Sequence, residues 1–319
     1  MLYSPAPMHI PDNFLSITVS LICWAITFVT LGVAISRTNK SLGERQVPLM
    51  GIMAAFIFAA QMINFPVLGG TSGHLLGGVL AAITLGPWAA MLVMTAVIAV
   101  QGLLFYDGGL VVMGANILNM GLLTAAVGYG LYRSVLGQSR TVKLTVAGVA
   151  AWLSVMTGAL FTSLELWLSG TAKLQFIVPA MLGVHALIGL GEALITVAAL
   201  SFILRSRPDL LGEKSESAKG SRAWVFVGIA ITIIVVLLSP FASADPDGLN
   251  RVAMDMGFIQ TAQIGTGPLA GYTVPFLSSV PISKIVAGVI GVVVVLAIVF
   301  ITGRSLQTNR KSEIGNPKS

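Results

Sequence analysis

Apolar runs of 18 or more residues recur along the chain, separated by short polar stretches. A run of that length crosses a lipid bilayer as a helix. Water is absent from the hydrocarbon layer, so a spanning segment must satisfy its own backbone groups, which favours helices over open strands. Of all residues, 55% are hydrophobic and only 9% are charged, against roughly a quarter charged in a soluble domain. A soluble globular fold is excluded. The net charge of +6 would point to nucleic acid in a soluble protein. Here the Lys and Arg sit in a few short loops, where they report orientation, and no nucleic-acid partner is expected. The single cysteine, Cys23, falls inside the first apolar run; it reads as a lipid-facing or packed thiol rather than a metal ligand.

Spans are expected at 14–35, 47–65, 87–105, 110–132, 142–168, 176–204, 224–241 and 282–303, with a shorter apolar stretch at 74–86. One loop carries Arg37, Lys40 and Arg45, and another carries Arg133, Arg140 and Lys143. A third carries Arg205, Arg207, Lys214, Lys219 and Arg222, and the tail carries Arg304, Arg310, Lys311 and Lys318. The positive-inside rule makes all four cytoplasmic. The chain must then leave and return to the outer face between Pro66 and Phe105. A continuous helix over 74–105 would be about 48 Å long, too long for a core of about 30 Å. The expectation is an all-α polytopic membrane protein of about nine transmembrane helices, N-terminus outside and C-terminus cytoplasmic, with a break at Gly86-Pro87. Eight spans plus a re-entrant segment is the alternative. Either way the three histidines, His9, His74 and His185, fall on the outer side.

Two polar constellations stand out. One is Met8-His9-Ile10-Pro11-Asp12-Asn13-Phe14; the other runs from Asn64 through Gly69-Gly70-Thr71-Ser72-Gly73-His74-Leu75-Leu76-Gly77-Gly78. The glycine-dense stretch can bring its backbone close to a bound group, and irregular backbone at membrane depth is tolerated only inside protein or lining a cavity. An imidazole set in such a loop suits a transition metal. Each piece also has a plain structural reading. A histidine near a helix end is often a satisfied interfacial residue, and Gly73-xxx-Gly77 has the spacing of a helix–helix contact.

These segments, together with Gly108-Gly109-Leu110, Gly114-Ala115-Asn116, Asn119-Met120-Gly121 and His185-Ala186-Leu187-Ile188-Gly189-Leu190-Gly191-Glu192-Ala193, resemble the signature segments of the CbiM/NikM family. Its members are the substrate-capture (S) components of energy-coupling factor (ECF) transporters for cobalt and nickel. Downstream, Ala244-Asp245-Pro246-Asp247-Gly248-Leu249 and Pro268-Leu269-Ala270-Gly271-Tyr272 resemble the PDGLE (CbiN-like) accessory component of the same systems, here fused in one chain. The resemblance implies a seven-helix S component at 8–205, a cytoplasmic linker at 206–221 and a two-helix accessory domain at 222–304. That domain carries an extracytoplasmic loop at 243–281 and is followed by a cytoplasmic tail at 305–319.

The family's ligand pattern implies the amine of Met8, the amide and imidazole of His9 and the imidazole of His74 as metal donors. Four nitrogens in a plane suit Ni²⁺ or Cu²⁺ and fit Mg²⁺ or Ca²⁺ badly. The expected substrate is Ni²⁺ or Co²⁺, with no organic cofactor. Residues 1–7 precede Met8, and a peptide bond there would remove the amine donor; without a basic n-region the segment is not a signal peptide. The expectation is that translation starts at Met8 or that residues 1–7 are removed. The resemblance further implies as partners a membrane coupling (T) subunit and two cytoplasmic ATPase subunits, with lipid around the chain in a prokaryotic cell membrane.

Asn64, Ser72, Gln101, Asn116, His185 and Glu192 are candidates for orienting the imidazoles or tying helices together, as is Asn119. His185 and Glu192 lie seven apart on one helix face. Glu165 reads as interfacial and Asp107 as a solvated loop acid. No Gly-x-x-x-x-Gly-Lys-[Ser/Thr] run occurs, so nucleotide hydrolysis would belong to other chains; the chain is not expected to be an enzyme. An ion-coupled secondary permease or channel acting without ATPase subunits is the alternative.

Overall fold

Each long apolar run closes its hydrogen bonds within itself, and polar caps decide where it starts. A computed structural model describes residues 8–43, 46–211, 223–263 and 265–315. Residues 1–7, and most of the linker expected at 206–221, lie outside the described residues. Helix α1 (Ile17–Ser41) begins where the Ser16 hydroxyl accepts the Val19 amide. It presents Ile17, Leu21, Phe28 and Val29 outward, as a lipid-facing surface requires. Helix α2 (Gln46–Gln61) follows, and then a small antiparallel hairpin, β1 (Phe65–Val67) with β2 (Thr71–Gly73), which departs from the all-α expectation.

Past the hairpin the apolar stretch expected at 74–86 is helical only as α3 (Gly78–Leu85), eight residues that are all buried. At about 12 Å, α3 is too short to cross alone. Gly73 and Gly77 lie outside any helix, so their spacing is not a helix-contact motif. Gly86 closes α3 with φ at 82°, a conformation that favours glycine, and Pro87 opens α4 (Pro87–Phe105) at its first position. The expected break therefore falls at Gly86-Pro87.

The span expected at 110–132 starts later, as α5 (Met113–Asn116). It continues through a π-helical stretch, Ile117–Leu123, into α6 (Thr124–Tyr132). Wide π turns are rare and gather at functional sites. Helices α7 (Arg140–Leu168) and α8 (Leu174–Ser206) pair along their lengths. Helix α9 (Ala223–Leu238) and the long α11 (Val280–Gly315) pack against α2. Between them, the short α10 (Gly248–Asp255) starts at Asp247, whose carboxylate accepts the Asn250 amide. Among the described residues six helices are long and apolar enough to cross a membrane. The chain is a multi-pass, predominantly helical membrane protein.

The irregular segment between β2 and α3 is held by its neighbours. Glu192, fully buried on α8, accepts the amides of Leu76 (2.6 Å) and Gly77 (2.9 Å). The Gln61 side-chain amide donates to the Leu76 carbonyl (2.8 Å). Glu192 lies about 27 Å along α8 from its first residue at 1.5 Å per residue, so the hairpin segment reaches deep into the bundle. Such a depth requires the protein to supply every partner. Replacing Glu192 with Ala orphans two amides, one buried and one half-buried, and thermal unfolding in detergent should show a loss of about 2–4 kcal/mol. Glu192→Gln keeps one acceptor and should lose less than half of that.

Candidate metal centre

The N-terminal segment reaches the bundle through its backbone. Asp12 turns its buried carboxylate on the amides of Leu110 (3.0 Å), Val111 (2.9 Å) and Val112 (3.2 Å) at the start of α5. Asn116 and Ile10 bond reciprocally: the Ile10 amide donates to Asn116 Oδ1 at 3.0 Å, and Asn116 Nδ2 donates to the Ile10 carbonyl at 3.1 Å. The Gly109 amide donates to the same carbonyl at 2.9 Å. A Cβ on Gly108 would stand 2.8 Å from His9 Cβ, so glycine there lets the two segments close on each other. These contacts leave His9 2% exposed, with neither ring nitrogen bonded to any described residue.

His74 follows β2. Its ring centroid lies 5.6 Å from that of His9, with the planes at 58°. Its Nδ1 lies 3.0 Å from the Leu75 carbonyl. A carbonyl only accepts, so Nδ1 carries the proton and Nε2 the lone pair. His185 repeats the pattern, with Nδ1 2.8 Å from the Met181 carbonyl. All three imidazoles line one cavity of about 80 Å³. Met8 and Asn116 line it too, as do Asn119 and Met120 of the π turn and Asp247 of the loop between α9 and α11.

That loop covers the site. The Ser72 amide donates to the Pro246 carbonyl at 2.8 Å, and Ser72 Oγ donates to the Asp245 carbonyl at 2.8 Å. The Gln263 amide reaches the Asp12 carbonyl at 3.1 Å. Tyr272 donates its hydroxyl to Asp107 Oδ2 at 2.6 Å, while Asp107 Oδ1 accepts the Met8 amide nitrogen at 2.7 Å. Burial lifts the Tyr272 phenol well above its ordinary range, and the neighbouring Asp107 carboxylate adds to the shift. Burial also pushes the Asp247 carboxyl up to about 8, against the opposing pull of the Asn250 amide.

Several sequence expectations change. Asp107 is buried and bonded between the N-terminal segment and Tyr272, not solvated. Glu165 is buried rather than interfacial; it accepts from Asn119 Nδ2 at 2.7 Å and from Cys23 Sγ at 3.4 Å, which makes Cys23 a packed thiol. The imidazoles of His74 and His185 are oriented by backbone carbonyls, not by the expected amide side chains, because a carbonyl one or four residues away already meets Nδ1. Asn116 holds backbone, and Ser72 holds the covering loop. Asn64 and Gln101 do not line the cavity; the Asn64 carbonyl instead accepts the Ser243 amide. Asp12 as an anchor and Asp107 as a bridge are not legible in the sequence, because each acts on groups about a hundred or more positions away; Asp247 joins the cavity only through the folding of its loop.

The Asp12 carboxylate holds three amides at once. Asp12→Ala should therefore raise hydrogen exchange at Leu110, Val111 and Val112 about ten- to hundredfold, with little change in α7.

Comparisons with known proteins identify the family of the chain. The family model "Cobalt uptake substrate-specific transmembrane region" matches residues 9–210, and the PDGLE domain model matches 221–308. A chain of Archaeoglobus fulgidus, named "Putative fused nickel transport protein NikMN", is 35% identical and covers 94% of this chain and 100% of its own length. The fused nickel transport protein NikMN of Rhodobacter capsulatus is 28% identical, covering 91% of this chain and 95% of its own. A crystal structure described as a truncated transition metal transporter is 35% identical with a TM-score of 0.56, covering 62% of this chain and 99% of the other. The chain belongs to the CbiM family of cobalt uptake substrate-specific transmembrane proteins and carries a PDGLE domain in the same polypeptide.

Proposed function

We propose that this chain is the metal-capturing S component of an ATP-driven ECF-type uptake transporter for Ni²⁺ or Co²⁺, with the ion taken at the outer face by nitrogen donors. The observation that carries this reading is His9: a buried imidazole with both nitrogens unbonded, facing His74 across a shared cavity. Leaving buried polar atoms without partners is costly, and a metal ion suits the one lone pair that a neutral imidazole carries. The relatives' names, nickel transport protein and cobalt transport protein, point to the same two ions.

Among the described residues no three His, Cys, Asp or Glu side chains group closely enough to hold an ion by themselves. The family's ligand pattern adds main-chain nitrogen to the imidazoles. The Met8–His9 segment offers it: the Met8 amine, the His9 amide and the His9 imidazole form fused chelate rings, and His74 Nε2 supplies the fourth nitrogen. Such a plane is roughly square and favours nickel slightly over cobalt. It requires Met8 to be the mature N-terminus, a condition that intact-mass measurement of native protein checks directly. Met8 N would then lie beside Asp107 Oδ1, 2.7 Å away, well placed to be drawn toward the site.

The chain supplies binding rather than catalysis, and ATP hydrolysis falls to two cytoplasmic ATPase subunits acting through a membrane coupling subunit. The outer-side cluster of donors supports capture followed by release through a partner's conformational work. Metal flux through the purified chain alone in liposomes, driven by an ion gradient, would instead establish a secondary permease.

His74→Ala should remove bound Ni²⁺ and Co²⁺ from purified protein, as read by elemental analysis, while Cys23→Ala leaves metal content unchanged. Full occupancy in His74→Ala would overturn the site.

A further inference from the structure

Among the described residues, three other than glycine take a positive φ: Asn13, Tyr106 and Tyr272. All three lie where the N-terminal segment, the end of α4 and the PDGLE loop meet. A positive φ is strained for such side chains and persists where the surroundings demand it. Two of these residues set up one pair of hydrogen bonds. Tyr106 ends α4 at φ 53° and Gly108 follows at φ 108°, so the chain turns sharply around Asp107. The Asp107 amide donates back to the Gln101 carbonyl at 3.1 Å. Tyr272, at φ 57°, stacks on Phe105 with centroids 4.7 Å apart and planes at 24°, which carries its phenol to the same turn. The hydroxyl donates to Asp107 Oδ2 at 2.6 Å, and Oδ1 accepts from Met8 N at 2.7 Å.

Fastening the segment does not account for this contact. Asp12 already fixes the backbone after His9 through three amides, and Asn116 fixes Ile10. Asp107, 4% exposed, instead spends one oxygen on the nitrogen that the capture reading assigns to the metal. A primary amine bound through its lone pair keeps two N–H bonds. Donating one of them to Asp107 Oδ1 stops rotation about the Cα–N bond and holds the lone pair in one direction. An acceptor behind a ligand also makes that ligand a stronger donor. Resting on the capture reading above, we propose that Asp107 is a positioning residue for the Met8 nitrogen and that Tyr272 sets its orientation. With Oδ2 occupied by the phenol, the carboxyl presents Oδ1 to Met8 and does not turn away. The PDGLE domain thus acts on the coordination plane without supplying a ligand, and it tightens the grip on the ion through the amine.

The test uses the full chain, with Met8 shown to be its first residue by intact mass, and Ni²⁺ alone as the probe. Asp107→Ala should weaken Ni²⁺ binding about ten- to hundredfold and move the visible band of the bound ion to longer wavelength, because the amine is held less well. Asp107→Asn, whose side-chain oxygen still accepts, should restore part of both. Tyr272→Phe keeps the ring on Phe105 and loses only the hydroxyl; it should weaken binding about two- to tenfold. Added to Asp107→Ala, Tyr272→Phe should cost nothing more, since both act through one carboxyl. An Asp107→Ala protein that is less stable but has unchanged Ni²⁺ affinity and an unchanged band overturns the proposal, and so do additive losses in the double variant. If Asp107→Ala does not fold, Tyr272→Phe decides alone, and unchanged affinity and band there overturn it. Failure of the underlying site is read separately, as metal retained in His74→Ala or as residues 1–7 still present in metal-loaded native protein.

Discussion

The carboxylate of Glu192 is the contact on which the rest of the molecule depends. Irregular backbone inside a membrane bundle persists only when protein supplies each missing partner. Glu192 and Gln61 do this for the segment after His74. With Leu76 and Gly77 secured, the chain can descend without helical structure, turn into the buried α3 and leave through α4. That path brings His74 beside His9, two residues 65 positions apart whose rings would otherwise have no reason to meet.

The other half of the site rests on a different device. The segment carrying Met8 and His9 has no regular structure of its own beyond a single bridge to Gln263. Asp12 and Asn116 fasten its backbone to the start of α5, and the π turn that follows sets Asn119 and Met120 against the cavity. The PDGLE domain then bonds to both halves. Its Asp245 and Pro246 carbonyls hold Ser72, two residues before His74, and its Tyr272 holds Asp107, which holds Met8. Fusion in one chain makes these contacts intramolecular, which raises the effective concentration of the covering loop over its site.

Much of this could be read from the sequence, and the remainder has physical reasons for being hidden. The long apolar runs announce themselves because one bilayer thickness fixes their length. Gly86-Pro87 announces a break because positive φ and a missing amide are local properties. The glycine-dense approach to His74 is visible for the same reason. The late start of α3 at Gly78, the hairpin before it and the π turn were not legible, since each is imposed by neighbours rather than by local preference. Acidic residues misled most. Glu165 and Asp107 look like ordinary interfacial and loop acids, yet both are buried because their partners, Asn119, Cys23, Met8 and Tyr272, arrive from distant segments. Asp247 enters the cavity only because the covering loop folds back onto Ser72, a pairing that no spacing in the sequence reveals.

The central claim is that one Ni²⁺ or Co²⁺ ion sits between the rings of His9 and His74. Anomalous diffraction from crystals of the nickel-loaded chain, with data collected on both sides of the nickel edge, tests it most directly. The expected result is a single strong peak within bonding distance of His9 nitrogen and His74 Nε2, inside the cavity that Asp247 and His185 also line. A peak elsewhere in the molecule, or none in protein that retains nickel by elemental analysis, would contradict it.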